Sequence, residues 1–175
     1  MSGKITQEDK EAFDLFFKNY PLSEFEQSHV ELKPSKKFKN GYYIGEWNKQ
    51  GEKHGRGIYI WESGARYEGE WRFGKRTGKG KFYYANGKIY EGDFKEDNWH
   101  GFGKVRFEDG ERYEGDWRNA QREGYGIAHW NNGKKYRGYW KNNQQHGTGE
   151  WYDAKTEKWC KGEWEKGSFV KWLDD

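Results

Sequence analysis

The chain has 175 residues, of which 32% are apolar, 35% charged and 20% aromatic, and 32 basic against 29 acidic side chains give a net charge of +3. So polar a composition would ordinarily leave a chain unfolded, but 11 tryptophans, 13 tyrosines and 11 phenylalanines argue for a fold held by ring contacts. No run approaches the ~18 apolar residues of a membrane-spanning helix, and the single Cys160 excludes an internal disulfide and a cysteine-rich zinc site.

The N-terminal stretch MSGKITQEDKEAFDLFF is acidic and lacks the basic and apolar regions of a signal peptide, so none is expected. A lone cysteine fits a reducing, cytoplasmic setting. Residues 6–19 predict an amphipathic helix: Thr6 and Asp9 resemble a capping box, and Phe13, Phe16, Phe17 and Tyr20 follow helical spacing. Pro21 stops it. Residues 21–40 read as a linker, with Leu22, Phe25, Val30 and Leu32 as anchors.

From Tyr43 the chain repeats, the feature to look for first in such a sequence. Tyr-x-Gly-x-Trp, or a near match, starts at Tyr43, Tyr67, Tyr90, Tyr113 and Tyr136, with a degenerate copy at Cys160, at intervals of 24, 23, 23, 23 and 24 residues. Each full copy then carries a Gly-x-Gly, from Gly55-x-Gly57 to Gly147-x-Gly149. Most end in a turn pair: Ser63-Gly64, Asn86-Gly87, Asp109-Gly110 and Asn132-Gly133.

Each copy therefore predicts a β-hairpin. Strand A is Tyr-x-Gly-x-Trp, with its first, third and fifth residues on one face. A looser polar loop such as Arg72–Thr77 follows, then a strand B of about six residues beginning at the Gly-x-Gly. The Xaa-Gly pairs predict type I′ turns leading to the next copy. One extra residue in the first copy's A–B loop accounts for its longer interval. Glycine weakens a strand, but here it shares a face with large rings, so a cross-strand aromatic can cover the trough. The result is a twisted antiparallel meander with nearest-neighbour stability. On the opposite face, Glu68, Glu70, Glu91, Asp93, Glu114 and Asp116 on strands A stand beside Arg56, Lys79, Lys81, Lys104 and Arg106 on strands B, which predicts a solvated cross-strand charge ladder.

This unit resembles the MORN repeat (membrane occupation and recognition nexus). His54, His100 and His146 stand before the Gly-x-Gly in three copies, and the resemblance covers about 43–167, roughly 70% of the chain. It implies a mainly β fold: a linear array of β-hairpins forming an elongated single-layer twisted antiparallel sheet, preceded here by the short helix. It also implies a setting among membrane-contact proteins, phosphoinositide kinases, SET-domain proteins, or cytoskeletal and ciliary scaffolds. The sequence departs from the pattern where Asp97, Ala120 and Asn143 replace the A–B loop glycine seen at Gly51 and Gly74. It departs again at Asp153-Ala154-Lys155-Thr156 and at Cys160, which reads as a terminal cap. The expected organisation is a helix and linker over 1–40, the array over 41–168, and an apolar tail over 169–175 with Phe169, Val170, Trp172 and Leu173.

No catalytic residue, cofactor or metal ligand is predicted. His54, His100 and His146 lie 46 residues apart, which is four strands or about 19 Å, and His29 and His129 have no evident ligand partners. Cys160 has no local base. The Gly-x-Gly pairs open strands, not phosphate-binding helices. Acidic positions on the array argue against a nucleic-acid track, and no small-molecule substrate is expected. The leading expectation is a non-enzymatic scaffold for protein–protein interaction, a subunit of a larger cytoskeletal or ciliary assembly as the resemblance implies. Its candidate contacts are Phe13, Phe16, Phe17, Tyr67, Trp71, Tyr90, Phe94, Tyr113, Trp117, Tyr136 and Trp140. Other protein subunits are the expected partners, with a homodimer also considered. The alternative is a peripheral membrane adaptor that meets anionic lipid through Arg72, Lys75, Arg76, Lys95, Arg118 and Arg122.

Overall fold

The structure, a computed structural model, describes residues 31–173 and the isolated positions 7, 11, 15 and 18. The rest of the helix expected over 6–19, with Phe13, Phe16 and Phe17, lies outside the described residues, as do Leu22, Phe25 and Val30. Thirteen strands follow: β1 (Glu31–Phe38), β2 (Gly41–Trp47), β3 (Lys53–Trp61), β4 (Arg66–Arg72), β5 (Lys75–Tyr83), β6 (Ile89–Lys95), β7 (Asn98–Arg106), β8 (Arg112–Arg118), β9 (Gln121–His129), β10 (Lys135–Lys141), β11 (Gln144–Asp153), β12 (Lys158–Glu165) and β13 (Ser168–Trp172). They form one open antiparallel sheet in sequence order. Two compact units divide the chain: Met1–Asn86 with Phe94–Asp97, and Gly87–Asp93 with Asn98–Asp175.

Both flanks differ from expectation. Part of the stretch read as a linker is β1, paired with β2. Pro34 falls where that register shifts, between Lys33 and Lys36, the kind of position that tolerates a missing N–H. Part of the expected tail is β13, paired with β12.

The two turn classes are the reverse of the prediction. The A–B connection is tight: Phe73 and Gly74 have φ of 49° and 78°, Glu96 and Asp97 47° and 70°, Asn119 and Ala120 50° and 62°, and Asn142 and Asn143 49° and 66°. Two successive positive φ values define the type I′ hairpin turn. The Xaa-Gly turns are instead three-residue loops. At Glu62-Ser63-Gly64, the Gly64 N–H donates to the Trp61 carbonyl (3.0 Å) and the Trp61 N–H to the Ala65 carbonyl (2.9 Å), with Gly64 at φ 87°. That pattern is a type I turn closed by a residue in the left-handed region. The first copy's A–B loop has this longer form, with Gly51 N–H on the Asn48 carbonyl at 3.0 Å, which bears out the extra residue.

Strand B is also longer than predicted: β5, β7 and β9 each have nine residues and begin before the Gly-x-Gly. The first glycine of the pair, such as Gly124 at φ 77°, lies in a bulge where the A–B register shifts, between Gly115 and Trp117 in that copy.

The trough prediction holds in every full copy. A Cβ on Gly115 or Gly126 would collide with the Tyr113 side chain. The Tyr113 hydroxyl reaches beyond them and donates to the Asp116 carbonyl at 3.2 Å. Equivalent bonds run from Tyr43 to Glu46 (2.9 Å), Tyr67 to Glu70 (3.0 Å), Tyr90 to Asp93 (2.9 Å) and Tyr136 to Tyr139 (3.1 Å). Tryptophan then joins neighbouring copies. Trp71 Nε1 donates to the Gly57 carbonyl (3.1 Å), Trp117 Nε1 to Gly103 (3.1 Å) and Trp140 Nε1 to Gly126 (3.2 Å). Tyr113 is met edge-on by Trp117 of its own copy at 5.0 Å and by Trp140 of the next at 5.4 Å.

Two substitutions test this account by thermal unfolding. Gly126→Ala forces a methyl into the Tyr113 ring and should lower stability by about 1–3 kcal/mol. Ala120→Gly relieves the left-handed backbone of a non-glycine residue and should raise stability by about 1 kcal/mol.

Candidate functional site

The eight array rings predicted as partner contacts form the core. Tyr67, Trp71, Tyr90, Phe94, Tyr113, Trp117, Tyr136 and Trp140 are each no more than 5% exposed. Burial raises the Tyr136 hydroxyl to about 12, so the phenol stays a neutral donor across ordinary pH. These residues hold the copies together and present little exposed surface.

In three of the five full copies a cation covers this ring stack at one repeat position, which Trp99 and Gln145 occupy in the others. Lys53 Nζ lies 4.1 Å from the Trp71 ring centroid and 4.7 Å from that of Tyr59, and burial lowers its pKa to about 8. In the next copy Arg76 lies 5.1 Å from the Phe82 centroid and donates through Nε to Asp97 Oδ1 at 2.8 Å. Arg122 lies 4.1 Å from Trp140 and donates to the Asn143 carbonyl at 2.9 Å. Arg76 and Arg122, predicted to meet lipid, are thus packed on rings and bound to turns. Arg72, Lys75, Lys95 and Arg118 are exposed where strands A and B meet. Beside Arg72, Phe73 is 59% exposed.

The departures at the A–B turn have a compensation. Asp97 Oδ1 accepts the Arg76 backbone N–H at 3.0 Å, and Asn143 Oδ1 accepts that of Arg122 at 2.8 Å. The polar side chain that replaces glycine thereby bonds the preceding copy.

The second face is only partly the expected ladder. The acidic residues at the fourth motif position cap the bulge: Glu70 Oε1 accepts the Lys79 N–H (2.8 Å), Asp93 Oδ2 that of Phe102 (3.0 Å) and Asp116 Oδ2 that of Tyr125 (3.0 Å). At the second position Glu114 pairs across strands with Lys104 at 3.0 Å as predicted, whereas Glu68 pairs with Arg66 of its own strand at 2.8 Å. The fifth copy has Tyr139 at the capping position, and its ring meets Tyr125 edge-on at 5.7 Å. Tyr125, Tyr139 and Phe102 are 47%, 55% and 46% exposed. These three rings were missed in the sequence. The signal was available: an aromatic at the middle of Gly-x-Gly or at the fourth motif position points away from the core.

Among the described residues no group of His, Cys, Asp and Glu could hold a metal ion. His54, in β3, instead supports the A–B turn of the next copy, its Nδ1 accepting the Phe73 N–H at 3.4 Å. An open groove of about 360 Å³ in the first unit is lined by Trp61, Ser63, Ala65, Phe82, Tyr84, Ala85 and Asn86.

The capping role separates the two acidic positions experimentally. Asp116→Ala should lower stability by about 1 kcal/mol through the lost charge-assisted bond, while Glu114→Ala should cost under ~0.5 kcal/mol, both read by chemical denaturation.

A search among curated proteins finds no match. The family model of the MORN repeat matches five consecutive segments, residues 43–66, 67–89, 90–112, 113–135 and 136–155. These are the copies joined by the tyrosine–glycine and tryptophan–carbonyl contacts above. The chain therefore belongs to the MORN-repeat family, whose repeat is a non-enzymatic module of protein–protein or membrane interaction.

Proposed function

We propose that this protein is a non-enzymatic scaffold that binds other proteins as a cytoplasmic subunit of a larger cytoskeletal or ciliary assembly. The observation that carries this reading is the set of exposed rings on the face opposite the core, the Tyr125–Tyr139 pair and, two strands away, Phe102. Rings there add nothing to the core, and exposed tyrosine is a favoured interface anchor. The last strand in the sheet order supports it: Phe169, Val170 and Trp172 of β13 are 46%, 52% and 53% exposed, and among the described residues no strand pairs with its outer side, a position that suits strand addition.

A second reading, contact with an anionic membrane, is favoured by the rim of the first unit. There the exposed Phe73 ring lies 5.8 Å from the Arg72 guanidinium, near exposed Lys75. Basic charge around an insertable ring suits a lipid surface.

The test is native purification of the tagged full chain through a high-salt wash, followed by gradient sizing. Defined co-migrating chains are expected, and Tyr125→Ser with Tyr139→Ser should deplete them at least ~10-fold with the melting temperature unchanged. Migration alone, with flotation on phosphatidylserine vesicles that Phe73→Ser abolishes, would replace the scaffold reading with the membrane one.

A further inference from the structure

On the second face of the second unit, register places four basic side chains in one row across adjacent strands. Arg106 of β7 faces Arg112 of β8, Arg112 faces His129 of β9, and His129 faces Lys135 of β10. Three successive cross-strand pairs thus join basic residues, an arrangement that destabilises a sheet when the groups are charged. Among the described residues none of the four makes an ion pair. Arg112 approaches only His129 Nδ1, at 3.5 Å, and Lys135 lies over the Tyr152 ring at 4.6 Å.

The neighbouring row, which runs from β7 on to β11, shows the contrast. Lys104 pairs with Glu114 at 3.0 Å, and Arg137 Nε with Glu150 Oε2 at 2.5 Å. This sheet neutralises charge one residue pair away and leaves it uncompensated in the outer row. We infer that the row Arg106, Arg112, His129 and Lys135 is a docking strip for an extended acidic segment of a partner protein.

The inference rests on the scaffold reading and names the chemistry of the partner. Adjacent strands are 4.7–4.9 Å apart, so four strands span about 14 Å. In an extended peptide, alternate side chains recur every ~6.7 Å. A Glu-x-Glu-x-Glu segment laid across the strands therefore offers three carboxylates over the length of the strip. A membrane plane fits less well, because Glu108 and Asp109 are exposed on the turn between Arg106 and Arg112. A narrow chain can pass beside that turn, whereas a bilayer would press against it.

His129 makes docking proton-linked. Burial, Arg112 and Lys135 lower its pKa, and Glu114 alone opposes them. A bound carboxylate would favour the imidazolium. The pKa is then higher in the complex than in the unliganded chain, so affinity should rise as pH falls through that interval.

The test is fluorescence anisotropy of the full chain with a labelled peptide of alternating glutamate and alanine. Phosphatidylserine vesicles and a single-stranded oligonucleotide are run in parallel. Binding of the peptide, weakened at least ~10-fold in Arg112→Gln/Lys135→Gln, is the expected result. Affinity should increase from pH 7.5 to 6.0 in the wild type and stay flat in His129→Asn. Because Arg112→Gln removes the like-charge pair with Arg106, its melting temperature should equal or exceed that of the wild type. Absent peptide binding, binding unchanged in the double variant, or binding of vesicles or oligonucleotide alone would each overturn the inference, as would a melting temperature lowered by Arg112→Gln. If partner chains still co-purify with the double variant while the peptide fails to bind, the acidic-segment inference falls and the scaffold reading stands. If no chain co-purifies with the wild type, the scaffold reading is the one that falls.

Discussion

A tyrosine ring lying over two facing glycines is the contact on which the rest of this sheet depends. In each full copy the ring fills the trough left by the missing side chains, and its hydroxyl reaches a carbonyl three residues on. Glycine alone would weaken both strands. With the ring in place, the backbones beneath it are covered and its own polar end is satisfied in a buried setting. The tryptophan that meets this tyrosine from the next copy adds a bond to a glycine carbonyl. Ring packing and hydrogen bonding therefore propagate together, and a chain only 32% apolar can fold without an ordinary aliphatic core.

That economy decides where function can reside. Residues that recur in every copy are committed to the fold, which removes the most conspicuous rings of the sequence from consideration as an interface. What remains is the variation between copies at positions the fold does not need. Tyr139 stands where other copies carry a capping carboxylate, and Phe102 and Tyr125 stand where the first two copies carry Arg56 and Lys79. Each departure gives up a charge and places an aromatic on the solvated face, so the differences carry more functional information than the repeat.

Much of the fold was legible because its period is long and its chemistry local. The alternation within Tyr-x-Gly-x-Trp assigns faces, and glycine beside aromatics implies a covered trough, as Tyr113 over Gly115 and Gly126 shows. The turns were misread because the strongest short hairpin signal, Asn-Gly or Asp-Gly, also suits a three-residue loop whose last residue is left-handed. The true type I′ turns include Glu96-Asp97 and Asn119-Ala120, which announce no such geometry. There, bonds to the preceding copy hold the conformation: the Asp97 N–H donates to the Arg76 carbonyl at 3.0 Å and the Ala120 N–H to that of Trp99 at 2.9 Å. Those partners lie 21 residues away, beyond what a local propensity reports. The capping role of Asp93 and Asp116 was hidden for the same reason, since it needs the bulge.

The candidate site was the least legible part, because it is a property of register. Arg106, Arg112, His129 and Lys135 are ordinary surface residues in the sequence, scattered among other charges. Cross-strand pairing makes them neighbours, and it does so while Lys104, Glu114, Arg137 and Glu150 are matched in the adjacent row. A one-residue slip of any strand would turn its side chains to the other face and break the tyrosine–glycine fit. The aromatic face therefore sets the charge pattern of the opposite face, strand by strand. Glycine placement in the core thus determines which cations meet on the surface, and through them what kind of partner the surface can hold.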